Sequence, residues 1–342
     1  YGFCKSREQK FVMSFTISIP CWMIQKDNGQ EEAMGEKMRM DNTKLIARLE
    51  KPKGKVDVIL DTDTYNEIDD QFALAYLIKS KEKLNLQAIY AAPFYNHHSS
   101  GPKDGMEKSY KEILKILELM DRQEFKEVTY KGSESYLPSE EEAVVSPAAQ
   151  DLVRRAMERE EENPLYVISI GAITNIASAI LMKPEIIHKI VVVWLGGNAL
   201  DWHDNYEFNL YQDVAAARIV FGCGVPLVQL PCMGVVSAFA TTEPELTRWL
   251  KGKNALCDYL LDNTVQEAVL VEQGKCWSRT IWDVTAVAWL LNENFMYERL
   301  EHSPIPEYDH KWGFDRTRHF IKYVYGINRD LLFEDLFDKL AE

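Results

Sequence analysis

Four carboxylates crowd one short stretch of this 342-residue chain: Asp61, Asp63, Asp69 and Asp70 fall within ten residues. The apolar run Val56-Asp57-Val58-Ile59-Leu60 precedes them, and Gln71-Phe72-Ala73-Leu74 follows. Like charges at short range raise one another's pKa, and apolar surroundings raise it further. A hard divalent cation, which takes about six to eight oxygen ligands, is the natural partner for such a set. Helix capping competes for part of it. Asp69 and Asp70 stand where a helix would begin and would interact well with its dipole. Capping accounts for one or two carboxylates, not four.

The elements around the cluster are legible from apolar runs. Residues 56–60, 86–91, 128–131, 165–170, 190–195 and 226–230 read as strands. Helical patterns fall between them at 68–80, 105–120, 147–161, 174–182 and 213–221. This alternation predicts an α/β fold, an open, mostly parallel sheet with flanking helices. The last third is more helical, with patterns at 243–250, 254–272 and 282–291. Residues 314–325 read as a hairpin or edge element, and Asn328 as the cap of a closing helix through 340. One domain is expected over 41–342. Residues 1–40 read as an N-terminal extension outside that fold and open to disorder. Its apolar run, 11–24, follows a basic stretch as in a signal peptide but lacks a small-residue cleavage pattern.

In open α/β sheets ligands bind beyond the carboxyl ends of the strands. That rule brings 61–70, Asn96, Gly171 and Gly196-Gly197-Asn198 to one rim. Net charge is −14, so counterion release offers no gain on nucleic acid, and none is expected as a partner. No apolar run reaches membrane-span length, and no membrane association is expected. The six cysteines form no C-x-x-C pair, which leaves zinc and redox motifs without support. They read as idle thiols in a reducing compartment, hence a cytoplasmic protein.

Several segments together resemble the calcium-dependent nucleoside hydrolases, which cut the N-glycosidic bond of ribonucleosides. Asp61-Thr62-Asp63 with Asp69-Asp70-Gln71-Phe72-Ala73-Leu74 is similar to the family's amino-terminal signature. Ser169-Ile170-Gly171-Ala172-Ile173-Thr174-Asn175 resembles its central glycine turn, and Trp194-Leu195-Gly196-Gly197-Asn198 the following loop. Glu207-Phe208-Asn209, with Asp213 after it, resembles the ribose-binding segment. Trp282-Asp283-Val284-Thr285-Ala286 resembles the late segment with the last metal aspartate. These stand in the family's order over roughly 56–325.

The resemblance implies a Rossmann-like nucleoside hydrolase fold, a Ca2+ cofactor, a nucleoside substrate, a role in purine or pyrimidine salvage, and a homo-oligomer, dimer or tetramer. It assigns Asp63, Asp70 and Asp283 to the metal by their carboxylates and Ile170 by its backbone carbonyl. Asp63 would also be the base that activates water. Asp61 would orient the cluster from behind. Asp69 and Asn96 would hold ribose hydroxyls, Glu207 and Asn209 the ribose 5′ side, and Asn198 or Asn205 a further ribose contact.

Three departures stand out. Two extra residues separate Asp63 from Asp69, so Thr64-Tyr65-Asn66-Glu67-Ile68 remodels the first loop. A histidine-bearing loop before the central strand is replaced by Glu142-Ala143-Val144-Val145-Ser146-Pro147. Trp282 stands where inosine-uridine-preferring members carry a histidine. Tryptophan cannot protonate a leaving base, but it can stack on a purine and favour the ring's protonation, which weakly favours purines. A buried core indole is the competing reading. His97, His98 and His203 are replacement acids by their near-neutral pKa. Phe94, Tyr95, Trp202, Tyr206 and Tyr211 are candidates for stacking on the base or for packing.

Two other functions compete with hydrolysis. A non-catalytic relative would bind a nucleoside or other riboside without cutting it; retention of the carboxylates, Glu207, Asn209 and Asp283 argues against that. A haloacid-dehalogenase-like phosphatase would use Asp61 as nucleophile. It lacks support because Tyr65 fills the position that class gives to a threonine, and no late G-D-x-x-x-D follows.

Overall fold

β1 (Val56–Thr62) is the axis of the protein in its computed structural model, which describes residues 40–342. Val58 and Leu60 face one apolar core and Ile59 the other, all three fully buried. Successive side chains of a strand point to opposite faces. A strand covered on both faces must therefore be apolar where it is buried, as this one is over Val58, Ile59 and Leu60. β2 (Leu84–Ala91), β3 (Thr129–Lys131), β4 (Leu165–Ser169), β5 (Ile190–Leu195) and β6 (Leu227–Leu230) follow. β7 (Met296–His302) and β8 (Phe320–Ile327) complete an eight-stranded sheet of order β3-β2-β1-β4-β5-β6-β8-β7. All neighbours pair in parallel except β7, which runs antiparallel to β8. The expected open, mostly parallel sheet with flanking helices is what forms.

Strand order reverses between β1 and β4, and a crevice opens at such a switch point. The carboxyl ends of β1, β4 and β5 carry Asp61 to Asp63, Ile170-Gly171 and Gly196-Gly197-Asn198 to that place. Local chemistry sets where the flanking helices begin. The helix Pro147–Met157 starts on Ser146, whose hydroxyl accepts from the Ala149 N–H at 3.2 Å, with proline in the first turn. The helix Ala255–Glu272 starts on Asn254, whose side chain accepts from the Cys257 N–H at 2.8 Å.

Two expectations are corrected. The element read over 314–325 is not at an edge: β8 lies inside the sheet, between β6 and β7. The true edge strand, β7, carries alternating charges with only its first residue buried, so no apolar run announces it. The helix read to 161 ends at Met157. The expected extension, residues 1–40, lies outside the described residues except for Met40, as do Cys4 and Cys21. Cys223, Cys232, Cys257 and Cys276 are free thiols. Among the described residues, no helix is long and apolar enough to cross a membrane.

Gly132, just after β3, marks a close approach. A Cβ there would stand 2.1 Å from the Ala91 carbonyl oxygen and 2.4 Å from Asn175 Nδ2. Gly132→Ala is expected to lower stability by about 1–3 kcal/mol through overpacking, read in a thermal melt. An unchanged melt would mean that the backbone here is not held.

Candidate active site

Asp61 closes β1 in full burial. Its carboxylate accepts from Asn175 Nδ2 at 2.8 Å and from the Ser169 hydroxyl at 3.1 Å. Burial pushes its pKa up to about 7, and these two bonds pull it back toward the ionised form. Asn175 in turn accepts from the Ser133 N–H at 2.8 Å and its hydroxyl at 2.9 Å. Asp61 is thus clamped from the ends of β3 and β4 and does not line the crevice. That is the setting of an orienting residue. A phosphatase nucleophile would need an open face.

Asp63 stands one step beyond the strand. It is fully buried, yet neither carboxylate oxygen has a hydrogen-bond partner among the described residues. It lies against the central glycine turn: a Cβ on Gly171 would come within 3.0 Å of its Cγ. That turn is pinned from behind by Trp194, whose indole N–H donates to the Gly171 carbonyl at 3.1 Å. Burial raises the pKa of Asp63 well above the usual carboxylate range, and the charges of Asp70 and Asp69 raise it further.

Asp70 opens the helix Asp70–Lys79 and accepts from the Thr62 hydroxyl. Burial pushes its pKa up to about 7 against that bond. Asp69 sits at the N-cap position but makes no side-chain capping bond. It accepts instead from the Asp283 N–H at 3.3 Å, across 214 residues of sequence. Asp283 holds the same position before the helix Val284–Trp289 and also makes no side-chain cap. The capping reading of Asp69 is therefore overturned; its carboxylate is aimed inward. Carboxylate oxygens of Asp69, Asp70 and Asp283 lie within 4.8 Å of one another. Burial and mutual repulsion raise the pKa of Asp69 and Asp283 as well.

An all-oxygen donor set with an orphaned buried carboxylate in its electrostatic reach suits a hard divalent cation. Without one, so many buried anions would have to bind protons. Asp69, Asp70 and Asp283, whose oxygens stand together, would hold it, with Asp63 in electrostatic reach of all three.

A cavity of about 200 Å³ opens over this cluster, lined by Asp69, Ile170, Asn198, Glu207, Asn209, Trp282 and Asp283 among others. Seven of the residues expected at the site thus meet around one space. Asn209 Nδ2 donates to the Leu195 carbonyl at 3.0 Å and more weakly to that of Ile170 at 3.4 Å. The Glu207 carboxylate accepts from the N–H groups of Gly197, Asn209 and Leu210 at 2.8–3.0 Å. It thereby caps the helix Phe208–Gln212 and fixes the glycine loop; burial raises its pKa, and these bonds oppose the rise. Asn198 accepts from the Met233 N–H and donates to the Asp204 carbonyl, both at 3.2 Å. Asn205 lies one layer back, its side-chain oxygen accepting from the Asn198 N–H.

Asn96 does not line the cavity. Its amide donates to Asn66 Oδ1 at 2.7 Å, and Asn66 in the lengthened first loop reaches the cavity instead. Sequence reasoning gave no role to Asn66, Glu67, Cys232 and Met233, which all line it. Asn175 was also left without a role, although its place in the Thr-Asn motif was a usable signal. Of Phe94, Tyr95, Trp202, Tyr206 and Tyr211, Tyr206 alone lines the cavity beside Trp282, with Tyr211 stacked on it at 4.5 Å between ring centroids. Phe94 is fully buried packing. His97, His98 and His203 lie outside the lining; His203 pairs with Asp204 at 2.9 Å.

A doubly flanked parallel sheet with a buried carboxylate cluster at its switch point defines an α/β protein built around a polar site. The sequence profile of the inosine-uridine preferring nucleoside hydrolases matches residues 58–320, and the chain belongs to that family. It is 29% identical over 193 residues to the pyrimidine-specific ribonucleoside hydrolase RihA of Escherichia coli O1:K1, a match covering 50% of this chain and 58% of the relative. The chain thus spans little more than half the length of the curated relatives it matches. Among solved structures, a plant nucleoside hydrolase superposes with a TM-score of 0.69 at 17% identity, covering 84% of this chain and 99% of the other. The purine-preferring ribonucleoside hydrolase from Gardnerella vaginalis gives 0.68 at 21% identity, covering 83% and 98%. At these identities the likeness speaks for the fold.

Proposed function

We propose that this protein hydrolyses the N-glycosidic bond of ribonucleosides, releasing ribose and the free base. The observation that carries this reading is the Asp63 carboxylate, buried and without a partner, within electrostatic reach of Asp70 and of the cavity-lining Asp69. A carboxylate with a raised pKa is suited to take a proton from water near neutral pH. The donor set favours calcium over softer metals, and such an ion would lower the pKa of a coordinated water and neutralise the cluster.

The chain's own residues divide the remaining work. Asp69 is placed to accept from a ribose hydroxyl, and Asn209 and Asn198 to orient the sugar. Glu207 holds the loop that carries them. The ring of carboxylates favours the positive charge that develops on ribose in an oxocarbenium-like transition state. Trp282, half-buried in the cavity wall, offers a face to the base. The relatives' names divide on the base, one pyrimidine-specific and one purine-preferring. Tryptophan in place of a histidine acid favours purines. Family membership also supports a homo-oligomer acting in nucleoside salvage in the cytoplasm.

A panel of purine and pyrimidine ribonucleosides, assayed for reducing sugar, tests the proposal. Ribose release from at least one of them is expected, and release from none rejects the substrate class. On the preferred purine, Trp282→Ala is expected to lower kcat/KM by roughly 5–150-fold, the loss of about 1–3 kcal/mol of stacking. An equal loss on pyrimidines would instead make Trp282 a packing residue.

A further inference from the structure

Away from the carboxylate cluster and outside the cavity lining, two imidazoles and a carboxylate converge. His97 and His98 follow β2 on the turn built by Asn96, and Glu267 projects from the helix Ala255–Glu272. His97 Nε2 lies 4.0 Å from Glu267 Oε1, and His98 Nε2 lies 3.7 Å from the same oxygen. One ligand atom from each of the three residues falls within 4.8 Å of the other two. We propose that His97, His98 and Glu267 form a second metal site, for a borderline ion of the zinc class.

The donor chemistry separates this site from the buried one. Two imidazole nitrogens and one carboxylate suit zinc, copper or nickel, whereas an all-oxygen set suits calcium. Zinc–ligand bonds run near 2.0–2.2 Å, so ligand atoms need to stand about 3.3–3.6 Å apart. The two imidazole–carboxylate separations stand close to that, and all three pairs lie within 4.8 Å, so side-chain rotation would have to close the remainder. The two rings already lie against each other, with centroids 3.9 Å apart and a 42° tilt. Both imidazole Nε2 atoms face one carboxylate oxygen, so a single cation could take a ligand from each of the three residues.

The turn is pre-shaped. Asn96 Oδ1 accepts from the His98 N–H at 2.8 Å, and Lys108 Nζ donates to the His98 carbonyl at 2.7 Å. Lys108 is itself paired with Asp104 at 2.8 Å, which moderates its charge beside the site. Tyr65, from the lengthened first loop, meets His98 edge-on at 6.1 Å. With three protein ligands, at least one coordination position is left to water or a small ligand. The site would clasp the turn at 96–100 to the helix Ala255–Glu272. Glu67 of the cavity wall lies within electrostatic reach of both sides of that clasp.

The test is copper(II) paramagnetic resonance on the full-length protein with excess calcium, because nitrogen and oxygen ligands give distinct hyperfine patterns. The wild type is expected to bind one equivalent with a two-nitrogen signature. His97→Ala and His98→Ala should each leave one nitrogen. Glu267→Gln should keep both nitrogens and weaken binding at least about 10-fold, as loss of even an outer partner does. Zinc, which such sites bind more weakly than copper(II), should compete for the site only in large excess. The double variant His97→Ala/His98→Ala retains five other histidines. An unchanged nitrogen signature in that variant, or an oxygen-only spectrum in the wild type, overturns the site. Glu267→Gln leaves the turn's own residues intact, so it keeps the test valid if a histidine variant unfolds.

Discussion

Asp63→Asn is expected to abolish nucleoside cleavage and, in the same protein, to leave the metal-free fold as stable as before or more so. The two effects share one cause. Asp63 has two buried carboxylate oxygens with no partner and lies within repulsive reach of Asp70 and Asp69. In the metal-free protein this is an uncompensated cost, because burying an unpaired charge is unfavourable. An amide of the same shape removes the charge and offers donors to the neighbouring carboxylates. The chelated variant should melt at or above the wild type, by ~2–5 °C if one or two kcal/mol are recovered. Loss of the base should lower kcat/KM by at least about 10³-fold. Paired measurements of initial rate and thermal melting check both halves. Retention of activity within tenfold would remove Asp63 from the chemistry. A large drop in the chelated melting point would give it a structural role instead.

The second large effect is a pH dependence of stability that a cation reverses. Asp61 and Asp70 have folded pKa values raised to about 7, and those of Asp63, Asp69 and Asp283 are raised well above the usual carboxylate range, burial being the main cause in each. Each is higher folded than unfolded. Each therefore contributes stability that is full below the unfolded value near 4 and is lost as pH rises through the folded value. The chelated protein should melt lower at pH 8 than at pH 5. A bound divalent cation needs these groups ionised, so its stabilisation should grow over the same window. At 100 times its dissociation constant it adds about 2.7 kcal/mol. Scanning calorimetry from pH 5 to 8, with calcium and with chelator, reads the difference directly. Coincident curves at pH 8 would mean that the cluster binds no cation.

Much of this was legible in the sequence, for physical reasons that also mark its limits. β5 was read to both ends, and so was the helix Thr174–Met182, because each is an apolar segment bounded by polar or turn residues. The switch-point rule then gathered Asp61, Asp63, Asn198 and Gly171 without any knowledge of pairing. β7 was missed because a half-exposed antiparallel edge needs no apolar run, and that omission misplaced β8 at the border. Spacing could not show that Asp69 turns away from its own helix toward Asp283, since that depends on a contact across 214 residues. Nor could it show that the two extra residues of the first loop put Asn66 between Asn96 and the cavity. Long-range polar contacts of this kind leave no periodic signal in the chain.

The central claim joins a divalent cation to N-glycosidic hydrolysis, and one titration tests both. The purified protein is stripped with chelator, calcium is added back in steps, and free base and ribose are measured on the best ribonucleoside of the panel. The expected result is no product from the stripped protein, then equimolar base and ribose rising with calcium to saturation. Equal rates with and without the cation, or a nucleoside left intact at saturating calcium, would contradict it.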